Sequence, residues 1–473
     1  MKEDYKKREN DENEREYREK YNHPRIHYAP LYGWMNDPNG LVFDGKLYNM
    51  FYQHNPKDIV WDKIHWGHAV SRDLIHWETM KDALEPDKYG YIYSGSGIVD
   101  ENNLLGMGID TIVVYYTAAT GAKTEHMAFT QRMAYSTDGG KTFHKDEEFE
   151  IPCFVPENRD PKIIWYGKDQ VYILVMYLDE DRFWLWRSED LRHFEKTQEL
   201  RMPGFYECPD LFEIEGEGEH KWVFSSATGY YVIGSFDGYC FTPQGSPKER
   251  FHDAYPSLEN ISCKGYAAQT YTGTGNRRIN QYWIMYPKSE QNQTYQGNMS
   301  MPQEIRLKKT NMGEWYLTYF PVKELEQLRK TSHAWRCASG ENCFFNISGD
   351  AVELRFSVSV GKTSVVSRQV STREQMVEAD VDRIILQILG KEICIYTMQR
   401  KVEADGKYVS LTEEKEIIFA VYVDIDVIEI FIQDGCRCIV VENQTHDLQG
   451  EISFTNRTNH AVEIVQYELA AIW

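Results

Sequence analysis

The sequence predicts an all-β protein, a five-bladed β-propeller followed by a C-terminal β-sandwich, and three observations carry that prediction. From Tyr28 to about Tyr286, short aromatic and β-branched runs are broken by Gly, Asp, Asn and Pro, the pattern of strands joined by turns. A Ser-x-Asp turn closed by an aromatic recurs at Ser71–Trp77, Ser136–Phe143, Ser188–Phe194 and Ser235–Phe241, with starts 65, 52 and 47 residues apart. That spacing is near the length of one four-stranded blade. Beyond residue 340 the apolar residues alternate with polar ones, as in strands with one buried face.

Taken in order, residues 1–25 are a charged N-terminal extension whose first 20 residues hold no apolar run. They lack the h-region of a signal peptide, so a cytoplasmic location is expected. Residues 26–320 form the propeller, with strands predicted at Leu47–Tyr52, Ile112–Tyr116, Val171–Tyr177, Trp222–Ser225 and Tyr282–Tyr286. Four copies of the turn, and one diverged copy, give five blades. Residues 321–340 are predicted as a helical linker, because Pro321 opens a stretch that places Val322, Leu325 and Leu328 on one face. The sandwich, 341–473, is read from Ala351–Val360, Arg383–Leu389, Ile417–Tyr422, Ile425–Ile432 and Ala461–Tyr467.

Composition narrows the function. A net charge of −21 over 473 residues repels phosphate backbones and anionic lipid, so nucleic acid is not an expected partner. No stretch approaches the roughly 18 apolar residues of a membrane span. The 9 Cys lack zinc-site spacing and are expected as reduced thiols, which also suits the cytosol. Asn-x-Ser/Thr triplets at Asn260, Asn292, Asn298, Asn346, Asn443 and Asn456 are read as chance in the absence of a leader. Aromatic residues make up 14% of the chain, which suits sheet packing first and the apolar faces of sugars second.

Three acidic segments hold the candidate chemistry. Asp37 lies in Gly33–Gly40 between Asn36 and Pro38, where the chain must turn sharply; a hairpin turn with Asp37 solvated is the plain alternative. Arg159 and Asp160 precede Pro161. Neighbours on a strand face opposite ways, so their pairing is not automatic, but at a strand end or bulge both face a cleft. The alternative there is a surface turn. Glu207, beside Cys208 and Pro209, is expected to be partly buried. Without a basic partner its neutral form is favoured, as a general acid requires. Trp34 and Trp61 are candidate sugar-facing walls and Trp66 a core residue. His54, His65 and His68 are read as hydrogen-bonded structure, and no metal or cofactor is expected.

In that order, Trp34–Gly40, Phe51–Pro56, Trp61, His65–His68, Tyr93–Ser96, Arg159–Pro161 and Glu207–Pro209 resemble glycoside hydrolase family 32, the β-fructofuranosidases. The resemblance covers all but about the first 25 residues, and Pro321–Arg329 and Tyr422–Gly435 look like the family's linker and sandwich strand pair. It implies Asp37 as nucleophile, Glu207 as general acid/base, and Asp160 as the carboxylate that holds fructosyl hydroxyls and stabilises the transition state. Asn36, Gln53, Trp61, Tyr93, Ser94 and Arg159 match positions lining the fructose pocket. Tyr93 stands where the family commonly has Phe, and Gln303 of Pro302–Glu304 where it often has Arg.

The chemistry agrees with those roles. Splitting a β-fructoside through an oxocarbenium-like state needs one carboxylate to attack and one carboxyl to protonate the leaving oxygen, with retention when the two lie about 5–5.5 Å apart. Asp37 is then expected ionised by amide or hydroxyl donors such as Asn36. Glu207 is expected neutral, by desolvation and the two negative charges beside it. A bell-shaped pH profile follows. The partner is a small β-fructoside: sucrose, sucrose 6-phosphate or a short fructan. Exo-fructanase activity is the alternative within this class, and a carbohydrate-binding protein on the same scaffold the alternative outside it. A sialidase propeller has the thinner support of one turn at Ser136–Phe143. Monomer and homo-oligomer both remain open.

Overall fold

The computed structural model describes residues 14–250, 264–286, 294–361, 382–411, 414–443, 445 and 447–473. Five antiparallel sheets occupy residues 33–321, and their first strands are Gly33–Phe43, Tyr91–Val99, Arg159–Tyr166, Asp210–Gly216 and Lys264–Thr270. Each of these strands contacts the next and the fifth contacts the first, so the sheets close as propeller blades around a central channel. The apolar runs picked out in the sequence are the second strands: Tyr48–Asn55, Ile112–Ala119, Val171–Tyr177, Glu219–Ser225 and Arg278–Met285. They are the most apolar because sheet neighbours flank them on both edges and adjacent blades cover both faces.

The recurring Ser-x-Asp segments form the corner between third and fourth strands in four blades. There Asp73, Asp138, Asp190 and Asp237 each accept two backbone N–H groups, those of Ile75 and His76, Lys141 and Thr142, Arg192 and His193, and Tyr239 and Cys240. In the fifth blade the corner, between Gln303–Lys309 and Trp315–Pro321, is built on Thr310 and Gly313 instead. Polar side chains tie the inner strands together: Asn39 Oδ1 accepts Gly95 N–H, Ser96 Oγ donates to Pro161 O, and Lys162 Nζ donates to Thr270 O. Tyr295 and Gln296 close the ring by pairing in parallel with Gly33 and Trp34.

Among the described residues the sandwich stacks two six-stranded sheets, with Ile384, Leu386, Phe419, Val421, Ile428, Ile430, Ile452 and Phe454 in a core of its own. A second apolar cluster runs across the domain boundary, joining Tyr282, Ile284 and Met299 of the propeller to Ala420, Tyr422 and Phe431 of the sandwich. The domains are therefore packed over a continuous apolar seam.

One boundary differs from expectation. Of the predicted helical linker 321–340, only Lys323–Leu328 is helical, as a 3-10 turn, and Arg329–Cys337 is already a sandwich strand paired with Val462–Leu469. Val322, Leu325 and Leu328 recur every third residue, which is the period of a 3-10 helix rather than an α-helix. The charged N-terminal extension includes an α-helix, Glu14–Lys20, seated on the propeller. Its Arg18 is buried and donates to Glu14 Oε1 (2.8 Å), Ala29 O (3.0 Å) and Thr79 Oγ1 (3.1 Å).

Of the glycosylation-type triplets, Asn260 and Asn292 lie outside the described residues. Asn298, Asn443 and Asn456 are buried. Asn443 and Asn456 cap turns by accepting from Thr445 and Thr458 and donating to backbone carbonyls, so their amide nitrogens are committed to the fold. The eight described cysteines are all free. No described helix is long and apolar enough to cross a membrane.

Candidate active site

One mouth of the channel is irregular by design of the backbone. In the first blade the pairing slips between Met35 and Pro38, which places Asn36 and Asp37 in a bulge opposite Gln53. The second blade slips between Tyr93 and Gly95, at Ser94, and the third opposite Val175 and Tyr177, at Asp160 and Pro161. The fifth slips between Tyr266 and Gln269. Bulges re-aim side chains, and here they turn Asp37, Arg159 and Asp160 into one pocket, with Ser94 bonded to Asp37. The backbone is left-handed at Asp160 (φ 64°), Glu207 (φ 35°), Cys208 (φ 40°) and Ala267 (φ 53°). Non-glycine residues occupy that region at a cost of about 1–3 kcal/mol each, and such positions cluster at functional sites.

The pocket encloses about 1220 Å³ and is lined by Asn36, Asp37, Gln53, Trp61, Tyr93, Arg159, Asp160 and Glu207, together with Trp34, Tyr206, Tyr266, Trp283, Tyr286 and Gln296. Ser94 stands directly behind Asp37. The structure thus brings together all nine residues singled out in the sequence. A cleft of about 730 Å³ at the opposite end of the channel, beside Trp165 and Trp222, contains none of the three carboxylates.

Asp37 Oδ2 accepts from Ser94 Oγ at 2.7 Å and Asp37 Oδ1 from Asn36 Nδ2 at 3.1 Å, while Gln53 Nε2 donates to Ser94 Oγ at 2.5 Å. Cys208 joins two carboxylates: its N–H donates to Asp160 Oδ2 at 2.9 Å, and its Sγ lies 3.5 Å from Oδ2 of both Asp37 and Asp160. Those two oxygens are therefore no more than 7.0 Å apart. Arg159 donates through Nη2 to Glu207 Oε2 at 2.8 Å, and Tyr266 O–H donates to Glu207 Oε1 at 2.5 Å.

One electrostatic expectation is corrected, and the second meets an opposing effect. Glu207 does have a basic partner, because the bulge at Asp160 swings Arg159 across to it, over the rings of Tyr177 and Tyr206. The expected donors to Asp37 are present, yet burial and the charge of Glu207 outweigh Ser94 and Asn36, and the carboxyl is pushed up. Asp160 is pushed up to about 7, chiefly by burial and also by Glu207 and Asp37, against the pull of Arg159 and the Cys208 N–H.

The remaining candidates divide cleanly. Trp61 packs on Tyr93, with ring centroids 5.7 Å apart, and Lys123 Nζ lies 4.5 Å from the centre of its ring. Trp66 is fully buried core. His54 bonds Tyr32 O and Asp82, His65 also faces Asp82, and His68 bonds Asn49. At the Pro302–Glu304 departure, Arg250 donates to Gln303 Oε1 and lies over the Tyr282 and Tyr319 rings, so a cation reaches this spot from another segment. Tyr266, Trp283, Tyr286 and Gln296 were not found from sequence. Tyr266, Trp283 and Tyr286 belong to the fifth blade and Gln296 to the short strand that pairs with the first, where no short motif marks one Tyr among 32.

Comparison with known proteins agrees with this geometry. Residues 27–317 match the glycosyl hydrolases family 32 N-terminal domain. A levanase of Bacillus subtilis is 32% identical over 396 residues, covering 76% of this chain and 57% of that protein. An extracellular exo-inulinase of Meyerozyma guilliermondii is 32% identical over 325 residues, 61% of this chain and 60% of that protein. The chain thus spans less than two thirds of the length of these relatives. A Schwanniomyces occidentalis fructofuranosidase structure superposes with a TM-score of 0.80 at 23% identity, covering 95% of this chain and 98% of that one. An exo-inulinase of Aspergillus awamori does so with 0.79 at 20%, covering 96% and 99%. The chain belongs to glycoside hydrolase family 32.

Proposed function

We propose that the protein is a retaining β-fructofuranosidase acting on sucrose or a similarly small β-fructoside. The observation that carries the reading is the convergence of Asp37, Asp160 and Glu207 in one pocket, bridged by Cys208 and Arg159. Asp37 attacks the anomeric carbon and the bond to the leaving oxygen breaks as Glu207 gives it a proton. Water, deprotonated by Glu207, then releases fructose from the Asp37 ester. Asp160 accepts fructosyl hydroxyl protons in hydrogen bonds. Burial and the neighbouring carboxylates favour a proton on Asp160, and fructosyl hydroxyls donating to Asp160 favour its anion.

The charge of the pocket supports a neutral sugar over a sugar phosphate. Among the described lining residues, Asp37, Asp160, Glu180, Asp181 and Glu207 face only Arg159 and Arg201, which are engaged with Glu207 and Asp181. A second reading, exo-acting fructan hydrolysis, is favoured by the levanase and exo-inulinase relatives. The free cysteines support a reducing, cytosolic setting.

Initial rates of fructose release from sucrose, sucrose 6-phosphate, inulin and levan test the proposal, with Asp37→Ala as control. Sucrose is expected to be cleaved fastest and the variant to be inert. Faster release from either polymer selects the second reading, and no release from any substrate overturns both.

A further inference from the structure

The sandwich reaches the wall of the carboxylate pocket through the turn Asp424-Ile425-Asp426, which joins its strands Glu416–Val423 and Val427–Ile432. Both aspartates are fully buried, but they face different parts of the propeller. Asp424 accepts from the N–H groups of Arg25, Ile26 and His27 and pairs with the His27 ring, which belong to the segment preceding the first propeller strand. Asp426 Oδ2 accepts from Tyr295 O–H at 2.7 Å, Asn298 Nδ2 at 3.1 Å and Tyr286 O–H at 3.3 Å.

Those three partners frame the site. Tyr286 lines the pocket, and its carbonyl accepts Gln296 Nε2 at 2.9 Å, which makes Gln296 part of the same wall. Tyr295 and Gln296 pair with Gly33 and Trp34. Trp34 Nε1 in turn donates to Asn36 Oδ1 at 2.6 Å, and Asn36 donates to Asp37. The approach is close at Gly297 (φ 92°), where a Cβ would stand 2.2 Å from Met35 O and 2.8 Å from Trp283 Nε1. The segment 295–298 is thus wedged between the sandwich turn and the strand carrying Asp37.

We propose that Asp426 is a positioning residue: the sandwich, through this carboxylate, sets the Tyr286–Gln296 wall and so the fit of the fructosyl group. This rests on the β-fructosidase reading above. A charged acceptor shared by three donors holds them more firmly than a neutral one, and a wall displaced by a fraction of an ångström weakens sugar binding before it alters the attacking groups.

The test compares Asp426→Asn with Asp424→Asn in the full chain, using sucrose. Asp426→Asn is expected to raise KM about fivefold or more while kcat changes less than about threefold, with the pH profile in place. Asp424→Asn is expected to lower the melting temperature and leave KM within about twofold. If Asp426→Asn does not fold, Tyr295→Phe removes one donor from the same carboxylate and is expected to raise KM in the same direction. Unchanged KM in the folded Asp426 variant and in Tyr295→Phe overturns the proposal and leaves the sandwich a stabilising partner only. Absence of fructose release by the wild-type chain sinks the activity reading instead, independently of the variant ratios.

Discussion

Arg159 Nη2 lies 2.8 Å from Glu207 Oε2 while its Nε stands 3.7 Å from Asp160 Oδ2, so one guanidinium spans two of the three carboxylates. Arg159→Lys keeps the charge and loses the planar fork. Its kcat/KM on sucrose is expected to fall about 100-fold with the fold intact by circular dichroism. A variant within threefold of wild type, roughly the scatter of a peripheral contact, removes Arg159 from the mechanism.

Tyr266 supplies the other donor to Glu207. A hydrogen bond to a charged group contributes about 1.5–3 kcal/mol, so Tyr266→Phe is expected to lower kcat/KM by about 10- to 100-fold. Steady-state kinetics across pH 4–9, roughly the range in which a perturbed carboxyl pair titrates, should also show a displaced limb of the bell; an unmoved profile assigns Tyr266 to packing.

Asp160 carries a stability cost with a definite sign. Its carboxyl is pushed up from 3.8 to about 7, so the folded state holds the proton more tightly than the unfolded one. The cost is absent below the unfolded value, grows as pH rises and is complete above about 7. Asp160→Asn removes it, and Asn tolerates left-handed backbone. The variant is expected to be inactive yet more stable than wild type by on the order of 2–4 kcal/mol at pH 8, with the gain vanishing near pH 4. Equal melting temperatures at pH 8 contradict this.

His27 has the opposite sign. Buried between Asp424 and Glu429 at 2.8 Å each, it is pushed up to about 9 by these carboxylates against the opposing effect of burial. The stabilisation is fully present below 6.5 and is lost as pH rises through about 9. His27→Gln leaves two buried carboxylates without their cation and is expected to cost about 3–5 kcal/mol at pH 6. Thermal melts between pH 6 and 10, roughly the interval bracketing the two values, should show wild type falling toward the variant.

Much of this molecule was readable from its sequence because local chemistry fixed it. The Ser-x-Asp corners, the Pro-flanked carboxylates and the alternation in the sandwich are all short-range signals, and each lies where expected. What escaped was contact between distant segments. Arg159 meets Glu207 across 48 residues and Asp424 meets His27 across 397, and no local pattern announces either. The same gap explains the electrostatics of Asp37: its donors are neighbours or motif residues, whereas the burial that outweighs them is collective. The 3-10 turn at Lys323–Leu328 is a finer case, where a three-residue apolar spacing predicts a longer helix than the one that forms.

The pairing of Gly33 and Trp34 with Tyr295 and Gln296 also has a bearing on synthesis. The strand that bears Asp37 emerges early, but its partner follows about 260 residues later, which at about 5–20 residues per second is roughly 13–52 s on the ribosome. Until then the catalytic mouth lacks one rim, so a truncated or stalled chain carries every proposed catalytic carboxylate and still has no completed cup in which to use them.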